Sequence, residues 1–408
     1  MTQVLPLQRR APASRLPSDA PAAFDIVAAT ETLAQQLAAT AVERDRRGGH
    51  AAHERELIRA SGLLSLTVPR ELGGLDADWP VFYRSLRRLA QADSALAHLF
   101  GFHHLQVAGL LLYGSVAQQQ RVLRETTAGP LFWGNALNPA DKRALATPTD
   151  GGWRLNGPKS FCSGAVGSDR LTVSGWHADT QSLLIAVLPT QREGVTVLSD
   201  WDAFGQKQTD SGTVEFDDVF VPHDDVLVAP GTVQTPRATL RSQVAQLIMA
   251  NLYLGIALGA YDEARRYTRE QSRPWFASGV AAAADDPYVQ HRYGELWLLV
   301  RPAVAVADAA AARLDLALRQ GESLSAADRG EVAIAVAEAK VLSHRAAIEV
   351  SSQLFELTGA RSTSARFGLD RYWRNARVHT LHDPVDYKLR DLGRHQLDGR
   401  VPDPTSYS

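Results

Sequence analysis

The chain has 408 residues, 45% hydrophobic and 22% charged, with a formal net charge of −2. This is enough apolar material for a sizeable core, and too even a charge balance to recruit nucleic acid or an anionic membrane surface. Its single cysteine, Cys162, excludes an internal disulfide and fits a reducing cytoplasm, and with no run of eighteen apolar residues no bilayer-spanning segment is expected.

Residues 1–22 mix prolines and basic residues without an apolar stretch, the composition of a disordered leader rather than a signal peptide. From 23 to 130 the apolar period is helical. "TLAQQLAATAVERDRR" places Leu33, Leu37 and Ala41 on one face. "HERELIRASGLLSLTVPRELGG" predicts a second helix that runs into a loop at Pro69, Gly73 and Gly74, and Val81 to Ser115 predicts two or three more. From 131 to 235 the period shortens to two. "GWRLNG", "RLTVSGW", "SLLIAVLP", "GVTVL" and "GTVEFDDVFVP" predict short strands of a small antiparallel domain, a sandwich or a barrel. In the last of them Val214 and Phe216 face one side, Glu215 and Asp217 the other. From 236 to 408 the helical period returns in three alanine-rich segments, each about thirty residues long, which predicts a packed bundle followed by a shorter final helix. The fold class is α+β, mostly α.

No GxGxxG follows a strand and no P-loop lysine motif occurs, so a resident nicotinamide or nucleoside triphosphate is not indicated. The final segment "RNARVHTLHDP" gathers His379, His382 and Asp383, which suit metal ligation, an acid/base pair or a polar helix end. No third and fourth ligand stands at suitable spacing, so no metal is expected. His98 on an apolar helix is either a satisfied core histidine or a donor, and Arg273 and Arg361 are either solvated cations or anion ligands. Cys162 beside Ser163 has no His/Asp partner pattern, which makes it a small buried residue rather than a nucleophile.

Helices, then a β-domain, then a long bundle is an order that resembles the acyl-CoA dehydrogenase fold over nearly the whole chain after the leader. "VPRELGG", "LNGPKSFCSGA" and "VEFDDVFVPHDDVL" resemble its early loop, its flavin-facing strand and its strand into the bundle. Within that fold, "TAVERDR", "FCSGAVGSD", "QTDSG", "AQLIMANLYLGIA" and "DRYWRNARVHTLHDPVDYK" are similar to the flavin-dependent monooxygenases of the dibenzothiophene monooxygenase branch. The resemblance implies a two-component enzyme. Reduced FMN (FAD being the alternative) comes from a separate NAD(P)H:flavin reductase and activates O2 as a C4a-hydroperoxide. One oxygen atom then passes to an apolar aromatic or sulfur-containing molecule, possible chemistry including sulfoxidation. It also implies hydrogen-bond donors at His382, Ser163, His98 and Asn135, and flavin contacts from Asn135, Ser163, Trp201 and His382. Arg273 and Arg361 take the flavin phosphate across a subunit interface, most simply in a homotetramer, with Tyr387 and Lys388 as further candidates. Phe102, His103, Phe161, Trp201 and His379 line the substrate pocket. Two departures stand out. The sulfur-heterocycle branch has a tyrosine at the position of Phe102. "LHDPV" occupies the place where a dehydrogenase of this fold keeps a glutamate base, which leaves Asp383 as the base of an alternative dehydrogenase reading; a non-catalytic flavin-binding scaffold is the other alternative.

Overall fold

The computed structural model describes residues 24–408, so the leader read over 1–22 lies outside it. Five helices come first: α1 (Ile26–Arg47), α2 (Ala52–Ala60), α3 (Trp79–Ala92), α4 (Ser94–Tyr113) and α5 (Val116–Ala128). Asp25 starts α1 by accepting from the Ala28 amide at 3.0 Å, and Leu33, Leu37 and Ala41 are buried as their spacing requires. The second helix stops sooner than the sequence suggests. Gly62 takes a left-handed φ of 75°, and two single 3-10 turns carry the chain to Gly73 at φ 88°. Asp93 ends α3 and caps α4, accepting from the Ala95 and Leu96 amides.

Eight strands follow: β1 (Trp133–Ala136), β2 (Leu145–Thr149), β3 (Gly152–Lys159), β4 (Arg170–His177), β5 (Ser182–Pro189), β6 (Val195–Val197), β7 (Val214–Pro222) and β8 (Val226–Val228). They form a curled sheet in the order β6-β7-β3-β2-β4-β5-β8, with β1 beside β4. Pairing is mainly antiparallel, but β4 pairs in parallel with both β1 and β2, which a purely antiparallel domain would not allow. β1, β2 and β8 escape the period-two signal, because β1 is buried at all four positions and β8 has only three residues. In β7 the alternation holds through Asp217. It slips at a bulge where Asp218, at φ 52°, donates its amide to the Asn156 side chain at 2.8 Å.

The bundle is built from α6 (Leu240–Glu270), α7 (Pro287–Gln320) and α8 (Ala326–Thr358), followed by α9 (Asp370–His379) and α10 (Val385–Asp398). One apolar core runs from α1 through α3, α4, α6, α7 and α8, and a second fills the sheet. Two helices, α4 and α6, are long and apolar enough to cross a bilayer, with mean hydropathy 1.3 and 1.5 over their most apolar windows. The run-length criterion misses both. Those windows are 89% and 83% buried against the rest of the chain, so their apolar surface is already used by the core.

α6 passes so close to α3 that the crossing needs a glycine. A methyl at Gly255 would meet the Ala90 side chain and stand 2.8 Å from the Arg87 carbonyl oxygen. Gly255→Ala should therefore lose about 1–3 kcal/mol of stability, despite the gain of about 1 kcal/mol that alanine brings to an open helix position. A higher urea midpoint for the variant would show that the helices separate freely.

Candidate active site

The α-helical layers and the sheet enclose a cavity of about 1160 Å³. That exceeds the usual range of about 300–1,000 Å³ for small-molecule sites, so it has room for a cofactor and a second molecule together. α4 contributes His98, Phe102, Leu105 and Tyr113; α6 contributes Arg241, Ala245 and Met249, one turn apart. The sheet side supplies Asn135, Phe161, Ser163 and Trp201, and the α9–α10 turn supplies His379 and His382. Residues 404–407 close one wall, held there by Lys388, which donates to the Tyr407 carbonyl, and by Ser242, which donates to the Ser408 carbonyl at 3.0 Å.

Two of the three histidines are buried and keep unused nitrogens. His98 stacks on Phe102 (ring centroids 4.0 Å apart) and lies 4.9 Å from His379. Neither of its nitrogens has a partner. Burial, reinforced by the neighbouring His382, pushes it down to about 3, so it is neutral near pH 7. Burial likewise holds His379 well below its ordinary value, with His98 and His382 adding to the effect. The Gln206 amide nitrogen lies 3.0 Å from Ser94 Oγ, 3.4 Å from the Asn375 carbonyl and 3.1 Å from His379 Nδ1. The carbonyl requires a donor there, so Nδ1 of His379 accepts and its proton sits on the unpartnered Nε2.

His382 is oriented by charge. Its Nδ1 lies 2.9 Å from Asp383 Oδ1, and Asp383 is ion-paired with Lys340, which also donates to Gln246. Burial pushes the Asp383 carboxyl up, but the hydrogen bond from His382 and the Lys340 charge outweigh it and hold the group well below the usual carboxylate range. Asp383 does not line the cavity. A dehydrogenase base at this position would need a free carboxylate facing the substrate, which this one is not.

On the sheet side, Asn135 Oδ1 accepts weakly from Gln106 and the Leu137 amide, both at 3.4 Å, which leaves its NH2 as the free donor. Ser163 is arranged differently from the expectation. Thr209 donates to the Gln206 carbonyl at 3.0 Å, Ser211 Oγ lies 2.8 Å from Thr209, and Ser163 Oγ lies 2.7 Å from Ser211. The carbonyl at the end of this chain fixes its direction. Ser163 gives its proton inward and presents lone pairs to the cavity, so in this arrangement it accepts rather than donates. Trp201 donates to the Gln206 carbonyl at 3.0 Å and meets Phe161 edge-on. Phe161 is 61% exposed at a φ of 58°, a conformation costly for a large side chain and typical of ligand sites.

His103 is not a pocket residue. One position on from Phe102, it points about 100° away around the helix, donates to the Leu64 carbonyl at 2.8 Å and accepts the Trp133 amide at 3.3 Å. It ties α4 to the 63–65 turn and to β1. Arg273 and Arg361 are exposed, beyond α6 and α8, and do not line the cavity of their own chain. Gln206, Arg241 and Lys340 were not singled out from the sequence.

Residues 26–130 match the acyl-CoA dehydrogenase N-terminal domain and 247–387 its C-terminal domain. The chain belongs to the acyl-CoA dehydrogenase family. A probable FMNH2-dependent monooxygenase, SfnC of Pseudomonas putida, is 46% identical over 94% of this chain and 97% of its own. Methanesulfinate monooxygenase MsuC of Pseudomonas fluorescens superimposes with a TM-score of 0.92 at 45% identity, covering 94% of this chain and all of that one (100%). TdsC of Paenibacillus sp. A11-2, solved with FMN and indole, has a TM-score of 0.91 at 40% identity, with 94% and 100% covered. Within its family this chain is a flavin-dependent monooxygenase that uses reduced FMN. The cavity suits that cofactor. It offers orphaned imidazole nitrogens, an amide donor, a serine acceptor for the N–H groups of a reduced flavin ring, and aromatic walls.

The neutral histidines give stability a pH dependence. The folded pKa of His98, about 3, lies below its ordinary 6.5. The contribution is thus fully present above about pH 6.5 and is lost as pH falls toward the folded value. Urea midpoints should fall between pH 7.5 and 5 more steeply for the wild type than for His98→Phe. Parallel pH curves would mean that His98 is already protonated in the fold.

Proposed function

We propose that this chain oxygenates a small sulfur-containing molecule at the cavity between α4, α6 and the sheet. The observation that carries the reading is the convergence of His98 and His379, with their unused nitrogens, and of His382 on one wall of an apolar pocket. Bound reduced FMN supplies the electrons that activate dioxygen. The residues do the rest. Neutral His98 and His379 offer hydrogen bonds without introducing a charge, Asn135 donates from the sheet side, and Asp383 with Lys340 fixes His382. Phe102, Phe161, Trp201 and Met249 keep bulk water from the reacting centre. The names of MsuC and of TdsC, a dibenzothiophene monooxygenase, support a sulfur atom as the target. Phe102 in place of a tyrosine favours a substrate that needs no phenol donor at that point. A dehydrogenase using Asp383 finds no support in its ion-paired carboxylate. Since the chain has no nicotinamide motif, the reduced flavin comes from a separate reductase in the same compartment, the cytoplasm.

The reading extends to a homotetramer in which Arg273 and Arg361 reach the flavin phosphate of a neighbouring copy. It is supported by their exposure and absence from their own cavity lining, and by exposed apolar side chains: Trp275 and Phe276 are 67% and 85% exposed, and Leu298 on α7 is 70% exposed.

With photoreduced FMN and oxygen, the protein should convert dibenzothiophene or an alkanesulfinate with little free peroxide. With FMN saturating, His98→Ala and His382→Ala should each cut product formation by about 10²–10³-fold. Peroxide release equal to that of free FMNH2, whatever sulfur compound is added, would sink the proposal. Leu298→Glu should shift the mass measured by light scattering from tetramer toward smaller species. An unchanged mass would remove this face from the interface.

A further inference from the structure

The end of the cavity away from the histidines holds a cation that the fold does not explain. Arg241, the second residue of α6, lines the cavity and makes one hydrogen bond, from Nη2 to Gln106 Oε1 at 3.1 Å. Its Nε is buried without a partner. Among the described residues no carboxylate lies within ion-pair range of it. A cation at the positive end of a 31-residue helix works against the helix dipole. Two more cations stand nearby: Arg329 hydrogen-bonds to Thr239, Ser242 and the Ser408 backbone oxygen, and Arg237 is paired with Glu322 at 3.3 Å. A half-buried guanidinium with a buried, unpaired Nε is costly to a protein unless something anionic meets it.

The surroundings are shaped for it. Gly109 on α4 leaves room that a side chain would fill, since a methyl there would stand 3.0 Å from Arg241 Nε. The hydroxyl of Tyr113 also lines this end and has no protein partner among the described residues. Gln106, which holds Arg241, also donates to Asn135 at 3.4 Å, so the cation is linked through one side chain to the sheet-side donors. His98, Phe102, Leu105 and Tyr113 share one face of α4, which leads from the histidines to Arg241.

Resting on the monooxygenase reading above, we propose that Arg241 and Tyr113 form an anion subsite that binds the oxyanion group of the substrate. The substrate class is then a small organic sulfinate, sulfonate or carboxylate rather than a neutral heterocycle. The planar fork of Arg241 offers paired N–H donors to two oxygens of such a group. The flavin phosphate has the same chemistry and is the competing occupant of this end.

Calorimetric titration separates the two. Benzenesulfinate should bind the FMN-loaded wild type, Arg241→Gln should weaken it at least tenfold, and Arg241→Lys should keep part of the affinity. Binding of the neutral analogue methyl phenyl sulfoxide should not change, and the FMN dissociation constant, from fluorescence quenching, should stay within twofold in each variant. Wild type that binds benzenesulfinate no better than the sulfoxide overturns the subsite, as does a flat response to either substitution. A tenfold loss of FMN affinity with unchanged sulfinate binding gives the cation to the flavin phosphate and overturns the substrate assignment. If Arg241→Gln fails to fold, Arg241→Lys carries the test, since loss of the fork alone should weaken sulfinate binding at least threefold. Failure of the wild type to bind FMN would instead count against the monooxygenase reading.

Discussion

The geometry of the site hangs on one buried charge. The Lys340 ammonium on α8 meets Asp383 between α9 and α10 and Gln246 on α6, with the lysine side chain 1% exposed. A cation so deep is tolerable only with its anion in place, and the anion in turn orients His382 through Nδ1. Three separate helical elements are thereby held at one point, and the wall of the cavity is set by where that point lies. The same pairing removes Asp383 from chemistry. A carboxylate committed to a lysine and a histidine is a strut, and the fold has exchanged a proton-abstracting group for an orienting one.

A second constraint is the exclusion of charge from the reacting wall. His98 and His379 are buried with little to stabilise a proton on them, so both stay neutral and retain unused hydrogen-bonding capacity. Gln206 settles which nitrogen of His379 carries hydrogen. The Thr209–Ser211–Ser163 chain settles which way the serine faces. These polar groups are aligned in advance by hydrogen-bonded partners in the protein, so little reorganisation is left for the moment of reaction.

Much of this was legible in the sequence, and the parts that were not have physical reasons. The long bundle helices and the β7 alternation follow from periodicity. The sequence overstates the second helix because the apolar spacing continues past Gly62, where the left-handed glycine turns the chain into 3-10 turns. β1 was missed because a strand buried on both faces does not alternate. His98, Phe102, Asn135, Phe161, Ser163, Trp201, His379 and His382 do meet at one cavity, as the family resemblance implied. His103 does not, because a one-residue step on a helix turns a side chain to another face. Arg241 and Lys340 carry no local signal at all: a lone arginine or lysine in a helix reads as solvated, and only three-dimensional packing shows that it is not.

The cavity draws its walls from residue 98 through to residue 407, so its occupant touches almost every layer of the molecule. A ligand in such a place acts as a keystone. It binds only when the helices, the sheet and the 404–407 segment are all in place, and it resists the loosening of each. By mass action, flavin at 100 times its dissociation constant would add about 2.7 kcal/mol to the folded state. The abundance of cellular flavin therefore becomes a determinant of how long the protein persists as well as how fast it works.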